Sequence, residues 1–579
     1  MSRKGKKIYS INPAVFCMAG LFGFAGLSQI KLQGFEAEKT TDLADKVHKY
    51  FVDKKDPAKR GAIYCRDLTP LAVDADAWVL TVNFAKIPRL PGFGIALSEA
   101  TGIPALEFSD REKGTRSWPT ELTPEQKAQV LKIKKEWSAD GISVETANDR
   151  SYPLGAFASS LVGFQRVQPG EESKAVRIGL EASLNDYLHG TNGKQRGLQD
   201  NNGEFLPLRS YEPEVVRKDG SKVVTTIDAN IQTAAALAIR EAVISNKADD
   251  GVAIVANPKT GEIYAMASWP SADPNDGSQS KYDGKNPAYK EVLEPGSTFK
   301  ILTLAKAVND GVVKDGMHWN CTGAYAVNSK STIHCDKQHG SHGVVDAEGA
   351  IAKSCNVTAA QWALKIGNQN FLEYLGDLGL REKTNLEIFG EVKNKIIPDR
   401  GAPKLQLANW GFGQAMNVTP MSLTRAFCTI ANGGYRIPLK LIRSIDGDEQ
   451  KPKGEHKRVL SQQSCDYTLH CMEAVMQKGT GRNMQIAGYD LGGKTGTAQK
   501  MGKGSIGGHV SNFVGVIPAK DPQAVVLVMV NNPKGGKFYG ADVAGPVFTD
   551  VAHSVIKNLR IPPAHDVSAV VAPTAPAHR

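Results

Sequence analysis

The chain contains a serine and a lysine at a spacing that could support nucleophilic catalysis. Ser297 and Lys300 follow the turn signal Pro295-Gly296 and begin an apolar-periodic run that predicts a buried helix. Because residues three apart lie on one face of a helix, the Lys300 amine can approach the Ser297 hydroxyl. A lysine removed from water has a lowered pKa and can accept the proton of a serine nucleophile. The pair predicts a serine acyl-transfer site.

The pair alone is weak evidence, because the same spacing occurs twice more, at Ser278/Lys281 and Ser554/Lys557. Two further motifs follow it in order along the chain, Ser354-Cys355-Asn356 and then Lys494-Thr495-Gly496-Thr497. Ser-x-x-Lys, Ser-x-Asn and Lys-Thr-Gly in this order are the motif set of penicillin-binding proteins and serine β-lactamases. The sequence therefore predicts one active site built from all three motifs.

The third motif is expected to form one wall of the site as a strand. Lys494 offers a cation for a substrate carboxylate, and Thr495 and Thr497 add hydroxyl donors. Gly496 allows a substrate backbone to lie against the strand, as in β-augmentation. The backbone N–H groups of Ser297 and Thr497 are the expected donors of an oxyanion hole.

The second motif places two polar side chains on one side of an extended or turn segment. We expect Ser354 to pass a proton between Lys300 and the leaving amine, and Asn356 to hold the substrate amide or Lys300. Without the other motifs, a helix cap would be the simpler interpretation of Ser354 and Asn356. The predicted catalytic residues are Ser297, Lys300, Ser354, Asn356, Lys494 and Thr497, and the predicted substrate-binding residues are Thr495, Gly496 and Thr497.

The composition indicates a globular protein with more than one domain. With 579 residues, of which 41% are hydrophobic and 22% charged, the chain is too long for one ordinary core. The net charge of +10 suits a protein near anionic lipid or cell-wall polymer, and a modestly basic surface without a special partner is the alternative. Nucleic acid is not predicted as a partner, because the sequence has no basic-aromatic cluster or finger spacing.

The N-terminal region predicts a membrane anchor. Several Arg and Lys residues precede an apolar stretch, 11–30, that has about the length needed to span a bilayer. The charge pattern predicts a single pass through the cytoplasmic (inner) membrane, with residues 1–10 in the cytoplasm and the catalytic part on the periplasmic side. A cleaved signal peptide is the alternative, but the stretch is long for one. Residues 33–58 predict a polar amphipathic helix leaving the membrane.

The rest of the chain divides into an upstream spacer and a catalytic domain. Residues 31–220 mix short strands and helices, including a charged helix near 123–137, and hold no convincing nucleophile–base pair. In 221–560, strands at both ends enclose a helix-rich region, which predicts one antiparallel sheet sharing a cleft with a helical lobe. Residues 561–579 are rich in Pro and Ala and predict a disordered tail. The predicted fold class is mixed α/β, preceded by an α+β pedestal domain and one transmembrane helix.

These motifs resemble those of class B penicillin-binding proteins, the monofunctional peptidoglycan D,D-transpeptidases. In the catalytic half, the segments that carry the resemblance are 257–262, 273–275, 294–300, 410–414, 418–420, 431–434, 493–499 and 513–515. Upstream, Arg60-Gly61, Arg150 and Gly179-Leu180-Glu181 resemble the family's pedestal, or dimerisation-like, domain. Cys65 and Leu68 depart from it, because the family usually has Asp and Gly there. The resemblance implies the penicillin-binding transpeptidase fold.

The resemblance also implies a reaction. Ser297 would attack the penultimate D-Ala carbonyl of a stem peptide, release the terminal D-Ala and transfer the acyl group to an amine of a neighbouring strand. β-Lactams would acylate the same serine, and no cofactor would be required. Lys-Thr-Gly-Thr-Ala is similar to the cell-division (septal) type, whereas Ser-Cys-Asn is closer to elongation-type relatives. The implied partners are stem peptides, the inner membrane, a polytopic cell-wall glycosyltransferase and division proteins.

Two other classes of function use the same motifs. In a β-lactamase or D,D-carboxypeptidase, water resolves the acyl-enzyme, but the anchor, the pedestal and the chain length are unusual for such compact enzymes. A non-catalytic division scaffold or a penicillin sensor is the third hypothesis. Intact motifs argue against the scaffold, and the absence of signalling segments from the sequence argues against the sensor.

Four residues of metal-binding types cluster on the approach to the second motif. Cys321, Cys335, His342 and Cys355 could form a closed tetrahedral zinc site, with His334 or His339 as an alternative to His342. If Ser354 and Asn356 face the cleft, Cys355 faces away, where a metal could brace the loop. A Cys321–Cys335 disulfide is the competing hypothesis. Some elongation-type relatives are similar in carrying zinc here.

Overall fold

The computed structural model describes residues 51–565 except 89, 110–113, 119–121, 167–174, 200–204, 208–214, 277–283, 337–339, 397–401 and 502–505. Within these ranges, no helix is long and apolar enough to cross a membrane. The predicted cytoplasmic segment 1–10, the predicted anchor 11–30 and residues 566–579 of the predicted tail lie outside the described residues. The membrane anchor therefore stays a prediction.

The described residues form two compact units, of which the smaller comprises 51–58, 77–147 and 190–219. Its antiparallel sheet has Gly193–Gln199 between Phe51–Asp56 and Phe205–Pro207. Its core includes Phe93 and Trp118. Its other elements include the 3₁₀ turn Phe84–Lys86, the helices Pro91–Thr101, Leu106–Ser109 and Pro124–Glu136, the strand Thr115–Trp118, and the strand Ile142–Ser151, whose last residues belong to the larger unit.

The larger unit comprises 59–76, 148–189 and 220–565. The strand Val223–Thr225 pairs in parallel with Ile63–Tyr64 and antiparallel with Ile442–Ile445, so distant segments share one sheet. A further strand, Pro70–Asn83, begins in this unit. The short elements of this region are Gly155–Phe157, Ser159–Val162, Gln165–Arg166, Val176–Arg177, Gly179–Ser183, Asn185–Leu188 and Asp448–Glu449.

A buried ionic cluster joins these upstream segments of the larger unit. Glu181 is fully buried and accepts hydrogen bonds from Arg60 Nε and Arg150 Nε, each at 2.7 Å. Arg150 Nη1 also donates to Asp74 Oδ1 at 3.0 Å. The residues that resemble a pedestal motif in sequence therefore meet around one buried carboxylate.

A five-stranded antiparallel sheet forms the centre of the larger unit. Its strands are β1 (Asp250–Ala256), β2 (Ile263–Trp269), β3 (Gly492–Met501), β4 (Ile506–Ile517) and β5 (Ala524–Asn531), in the order β2-β1-β5-β4-β3. The side chains of β5 alternate between two hydrophobic clusters, one on each face, which explains its continuous apolar sequence. The helices α1 (Ala229–Ser245) and Gly540–Asn558 cover one face.

A helical lobe packs on the other face. Its main helices are α2 (Lys300–Asn309), α3 (Asn356–Ile366) and α4 (Gln462–Lys478). Its other helices are Pro287–Lys290, Ala347–Ala352, Asn368–Asp377, Lys404–Trp410 and Pro420–Ala431, and its short strands are Trp319–Cys321, Ala324–Asn328, Ser331–His334, Gly343–Val345, Tyr435–Arg436 and Lys457–Arg458. Together with the sheet, the lobe confirms the predicted mixed α/β catalytic domain.

Of two helices predicted from the local sequence, one is confirmed and the other is wrong at its end. The predicted charged helix near 123–137 is confirmed as Pro124–Glu136, and Thr123 and Gln126 form a capping box at its start. The amphipathic helix predicted over 33–58 is wrong at its end, because Phe51–Asp56 is a strand paired with Gly193–Gln199. Pairing with a strand distant in sequence overrides the local helical pattern there.

Candidate active site

The turn that carries Ser297 packs directly against strand β3. Gly296–Phe299 is a 3₁₀ turn that leads into α2. Gly296 has a positive φ of 55°, and a Cβ there would lie 3.3 Å from the carbonyl carbon of Thr497. Glycine therefore allows the turn to approach the strand closely. This approach places the turn that carries Ser297 beside Thr497, as an oxyanion hole built from both residues would require.

Lys300 is fully buried and faces the nucleophile, which is itself partly exposed. Lys300 Nζ lies 2.9 Å from Ser297 Oγ, 2.6 Å from the Ser354 carbonyl oxygen and 3.0 Å from Ser354 Oγ. A neutral amine has two hydrogens and one lone pair, which match the two oxygens of Ser354 and the hydroxyl hydrogen of Ser297. Burial lowers the pKa of Lys300 to about 8, which favours this neutral form. The environment suits a general base.

Ser354 connects the two lysines of the site. Its Oγ lies 3.0 Å from Lys300 Nζ and 3.0 Å from Lys494 Nζ. If both amines donate to this oxygen, its own hydrogen remains available for a third group, such as a leaving amine. Ser354 has a positive φ of 56°, a conformation that costs a non-glycine residue of order 1–3 kcal/mol. That geometry turns both its carbonyl and its hydroxyl oxygen toward Lys300.

Lys494 is also fully buried, and its amine donates to its neighbour's carbonyl, Thr495 O, at 2.9 Å. Burial and the nearby charge of Lys300 hold the pKa of Lys494 well below its usual range. Two ammonium groups sharing one hydroxyl would repel each other, so at least one lysine is expected to be neutral. The predicted role of Lys494 as a carboxylate-binding cation stays a prediction.

Strand β3 forms the edge of the central sheet, so one side of its backbone faces away from β4. The Thr497 hydroxyl accepts a hydrogen bond from Gly540 N at 3.0 Å. A Cβ at Gly496 would lie 1.7 Å from Asn512 Oδ1, and the Asn512 amide donates to Pro295 O at 2.9 Å. Because Gly496 has no side chain, the Asn512 side chain can occupy this space. Its hydrogen bond to Pro295 O links β4 to the turn that carries Ser297.

Asn356 begins α3, and its side-chain amide donates to the carbonyl of His334 at 2.9 Å. The contact anchors this residue to the strand Ser331–His334 rather than to the two lysines. The predicted role of Asn356 toward a substrate amide stays a prediction. Sequence reasoning missed both His334 O and Asn512 as supports of the site, because neither carries a motif signal of its own.

The four predicted metal ligands converge beside the second motif. Cys321 Sγ lies 3.6 Å from Cys335 Sγ and 3.3 Å from His342 Nδ1, and Cys335 Sγ lies 3.7 Å from Cys355 Sγ. All four ligand atoms lie within 4.8 Å of one another. Zinc–sulfur bonds of ~2.3 Å in a tetrahedron give sulfur–sulfur distances of about 3.8 Å, so the donor set fits a closed zinc site. Of the two alternatives to His342, His334 is not part of this group, and His339 lies outside the described residues.

Hydrogen bonds link the sulfur atoms of the cluster to each other and to the start of α3. Cys355 caps the N-terminus of α3, where its sulfur accepts hydrogen bonds from Thr358 N at 3.4 Å and Thr358 Oγ1 at 3.1 Å. A hydrogen bond from Cys355 lowers the pKa of the Cys335 thiol, while the same bond and burial raise the pKa of Cys355, so one thiolate is favoured within this pair. The sulfur atoms of Cys321 and Cys335 are not bonded to each other.

The geometry suits a serine acyl-transfer site in which a buried lysine could act as the base, and comparison with known proteins shows the same class of enzyme. Residues 251–553 match the "Penicillin binding protein transpeptidase domain", and residues 55–225 match the "Penicillin-binding Protein dimerisation domain". Stage V sporulation protein D of Bacillus subtilis (strain 168) is 32% identical over 458 residues, which cover 76% of this chain and 69% of that protein.

Peptidoglycan D,D-transpeptidase FtsI of Buchnera aphidicola subsp. Schizaphis graminum (strain Sg) is 31% identical over 477 residues, which cover 81% of this chain and 80% of that protein. The crystal structure of penicillin binding protein 2X from Streptococcus thermophilus has a TM-score of 0.71 at 23% identity and covers 88% of this chain and 80% of that one, which supports the fold. This chain belongs to the penicillin-binding protein family, with a transpeptidase domain preceded by a dimerisation domain.

Proposed function

We propose that the protein is a peptidoglycan D,D-transpeptidase that cross-links stem peptides through an acyl-enzyme on Ser297. The observation that carries this proposal is the continuous chain of short contacts from Ser297 through Lys300 and Ser354 to Lys494. The family, and relatives named as peptidoglycan D,D-transpeptidases, support the same reaction.

In the proposed acylation step, protons move among Ser297, Lys300 and Ser354. Neutral Lys300 accepts the Ser297 proton as the serine oxygen attacks the penultimate D-Ala carbonyl. The backbone N–H groups of Ser297 and Thr497 stabilise the oxyanion. Ser354 gives its hydrogen to the departing amine of the terminal D-Ala and is reprotonated from Lys300. The amide bond is broken, an ester is formed, and Lys300 is neutral again.

The second half-reaction reverses these roles. An amine of a neighbouring stem peptide attacks the ester and gives a proton to Ser354, which passes its own proton to Lys300. The ester C–O bond then breaks, the new amide remains, and Lys300 returns the proton to the Ser297 oxygen. The open edge of β3 supports binding of an extended peptide by strand addition. Within this scheme, a β-lactam is a cyclic substrate whose leaving amine stays attached.

The cellular setting is part of the proposal. The apolar stretch 11–30 supports anchoring in the cytoplasmic membrane, with the described domains on the outer side of that membrane. The wall synthesis it serves is cell division or cell-shape maintenance, and a polytopic glycosyltransferase and division proteins are the proposed partners. Relatives of the family named FtsI support the division setting.

Labelling with a fluorescent penicillin tests the proposal. Wild-type protein should form a long-lived adduct on Ser297, located by mass spectrometry, and Ser297→Ala should form none. Ser554→Ala is the matched control, because Ser554 belongs to another Ser-x-x-Lys sequence, on the helix Gly540–Asn558. The control should be labelled like the wild type.

A transfer assay separates the competing functions. Incubation with a donor peptide ending in D-Ala-D-Ala and an acceptor amine should give the aminolysis product in preference to free acid. Rapid turnover of the penicillin adduct with hydrolysis only would favour the β-lactamase or carboxypeptidase. A folded wild-type protein without any adduct would favour the scaffold.

We also propose that Cys321, Cys335, His342 and Cys355 hold a structural zinc ion. The interatomic distances and the chemistry of the donor set support this. A zinc ion there would only hold segments of the protein chain together, because four protein ligands leave no open position for a substrate. Cys355 lies between Ser354 and Asn356, so the cluster would fix the second motif without entering the reaction.

A further inference from the structure

One contact of the third motif involves a residue outside all three motifs. Thr480 Oγ1 lies 2.7 Å from Thr495 Oγ1, a hydrogen-bond distance between two hydroxyl groups. Thr495 is nearly buried, with 8% of its surface exposed, and Thr480 is half-buried. Thr480 lies just beyond the end of α4, next to the edge strand that carries the proposed carboxylate-binding hydroxyls.

Two glycines hold Thr480 in a tight turn. The backbone N–H groups of Gly479 and Gly481 both donate to Val475 O, at 3.0 and 3.1 Å. A Cβ at Gly479 would lie 2.8 Å from the carbonyl oxygen of Ala352. The turn therefore fits closely against the end of the helix that precedes the second motif, and the position of the Thr480 hydroxyl is fixed relative to the site.

The direction of the hydrogen bond follows from counting hydrogens. A hydroxyl group has one hydrogen to donate, and a carboxylate can only accept. If Thr495 donates to the substrate carboxylate, it must accept in its contact with Thr480, and Thr480 must be the donor. If Thr495 instead donated to Thr480, its only hydroxyl hydrogen would be used within the protein. The substrate carboxylate would then face a lone pair of the Thr495 oxygen, which repels it.

We propose that Thr480 is a positioning residue of the transpeptidase, whose hydroxyl donates to Thr495 and thereby turns the Thr495 hydrogen toward the substrate carboxylate. The inference rests on the proposed function. Thr480 acts through Thr495, without contact to the substrate. Loss of one hydrogen bond of ordinary net strength corresponds to roughly a tenfold change in rate.

A double-mutant cycle tests the inference. The second-order rate constant for acylation by benzylpenicillin is measured for wild type, Thr480→Val, Thr495→Val and the double variant, and for Thr480→Ser. Thr480→Val should lower the rate constant about tenfold, and Thr480→Ser, which keeps the hydroxyl, should restore most of it. In the Thr495→Val background, Thr480→Val should have no further effect, because the group it orients is absent.

The benzylpenicillin methyl ester and a control variant complete the experiment. Thr480→Val should slow acylation by the ester less than acylation by the acid, because the ester has no carboxylate charge. Thr468→Val removes a buried hydroxyl from α4, the helix that ends just before Thr480. The Thr468 hydroxyl donates to Ser464 O within the helix, so this variant should leave the rate constant unchanged.

Three outcomes contradict the inference. Additive losses in the cycle would mean that Thr480 acts independently of Thr495. Equal losses with the acid and the ester, or failure of Thr480→Ser to restore the rate, would mean a purely structural role. Failure of the proposed function is distinguishable from all of these, because the wild type would then either not be acylated by benzylpenicillin or give only the hydrolysis product in the transfer assay.

Discussion

At the scale of single residues, the protonation state of Lys300 controls the proposed reaction. The amine must be neutral to accept the Ser297 proton, and burial lowers its pKa to about 8. Below that pH most Lys300 is protonated and cannot act as the base, so the acylation rate constant should fall about tenfold per pH unit and level off above pH 8. The measurement is the penicillin acylation rate as a function of pH.

Lys306→Gln provides a control for this profile. Lys306 lies on α2, like Lys300, but its amine donates a hydrogen bond to Asp310 and takes no part in the site. The variant should show the same inflection as the wild type. A rate constant that does not change through pH 8 would mean that Lys300 is not the titrating base.

The sequence predicts the reacting residues much better than their supports. Ser297 and Lys300 are close in sequence, so helix periodicity alone brings their side chains together. The hydrogen bond from Asn512 to Pro295 and the contact of Thr480 with Thr495 depend instead on how β3, β4 and α4 pack. Asn and Thr are also common in structural roles, so their types give no chemical signal.

At the scale of elements, the short strands between α2 and α3 form an insert that supports the second motif. The strand Trp319–Cys321 carries one proposed zinc ligand, and the strand Ser331–His334 ends at the carbonyl that holds Asn356. Because Cys355 caps α3, a metal bound there would fix the start of the helix as well as the turn of Ser354.

Replacement of one ligand tests the metal site. Wild-type protein purified without chelators should contain equimolar zinc by elemental analysis, and Cys335→Ser should lose it, because Cys335 lies beside both other sulfur atoms. Zinc release should also lower the thermal unfolding temperature, since ligand binding stabilises the folded state.

Cys428→Ser is the matched control, because Cys428 is also a buried thiol but lies outside the ligand cluster. This variant should keep its zinc. A wild type free of zinc, with Cys321 and Cys335 recovered as one disulfide-linked peptide, would instead establish the competing disulfide.

Elements were predictable where local pattern and tertiary environment agree. The hairpin of β1 and β2 and the helix Pro124–Glu136 carry turn and capping signals in their own sequences. The segment Phe51–Asp56 does not, because its charged residues also fit a polar helix and its pairing partner Gly193–Gln199 lies far along the chain.

At the scale of the whole molecule, the larger unit is assembled from three separate stretches of chain. Residues 59–76 and 148–189 belong to it, together with 220–565, although the sequence pattern changes near 220. The predicted domain bounds 31–220 and 221–560 stay predictions. Glu181, with its partners Arg60 and Arg150, links the two upstream stretches within the unit.

Removal of the Glu181 charge should therefore weaken the whole unit. Glu181→Gln keeps the size of the side chain but leaves two buried guanidinium groups without their shared carboxylate. Breaking a buried pair in this way costs about 3–5 kcal/mol, because an uncompensated charge stays buried. The free energy of unfolding, measured with urea, should fall by that amount.

A matched charge removal shows whether burial is the cause. Glu262→Gln removes the carboxylate of a more exposed pair, with Glu262 Oε2 3.7 Å from Arg66 Nη1, and should cost at most about 1 kcal/mol. Equal effects of the two substitutions would contradict the argument, since the penalty would then not depend on burial. Because Glu181 lies outside the three motifs, Glu181→Gln should still be acylated by penicillin wherever it remains folded.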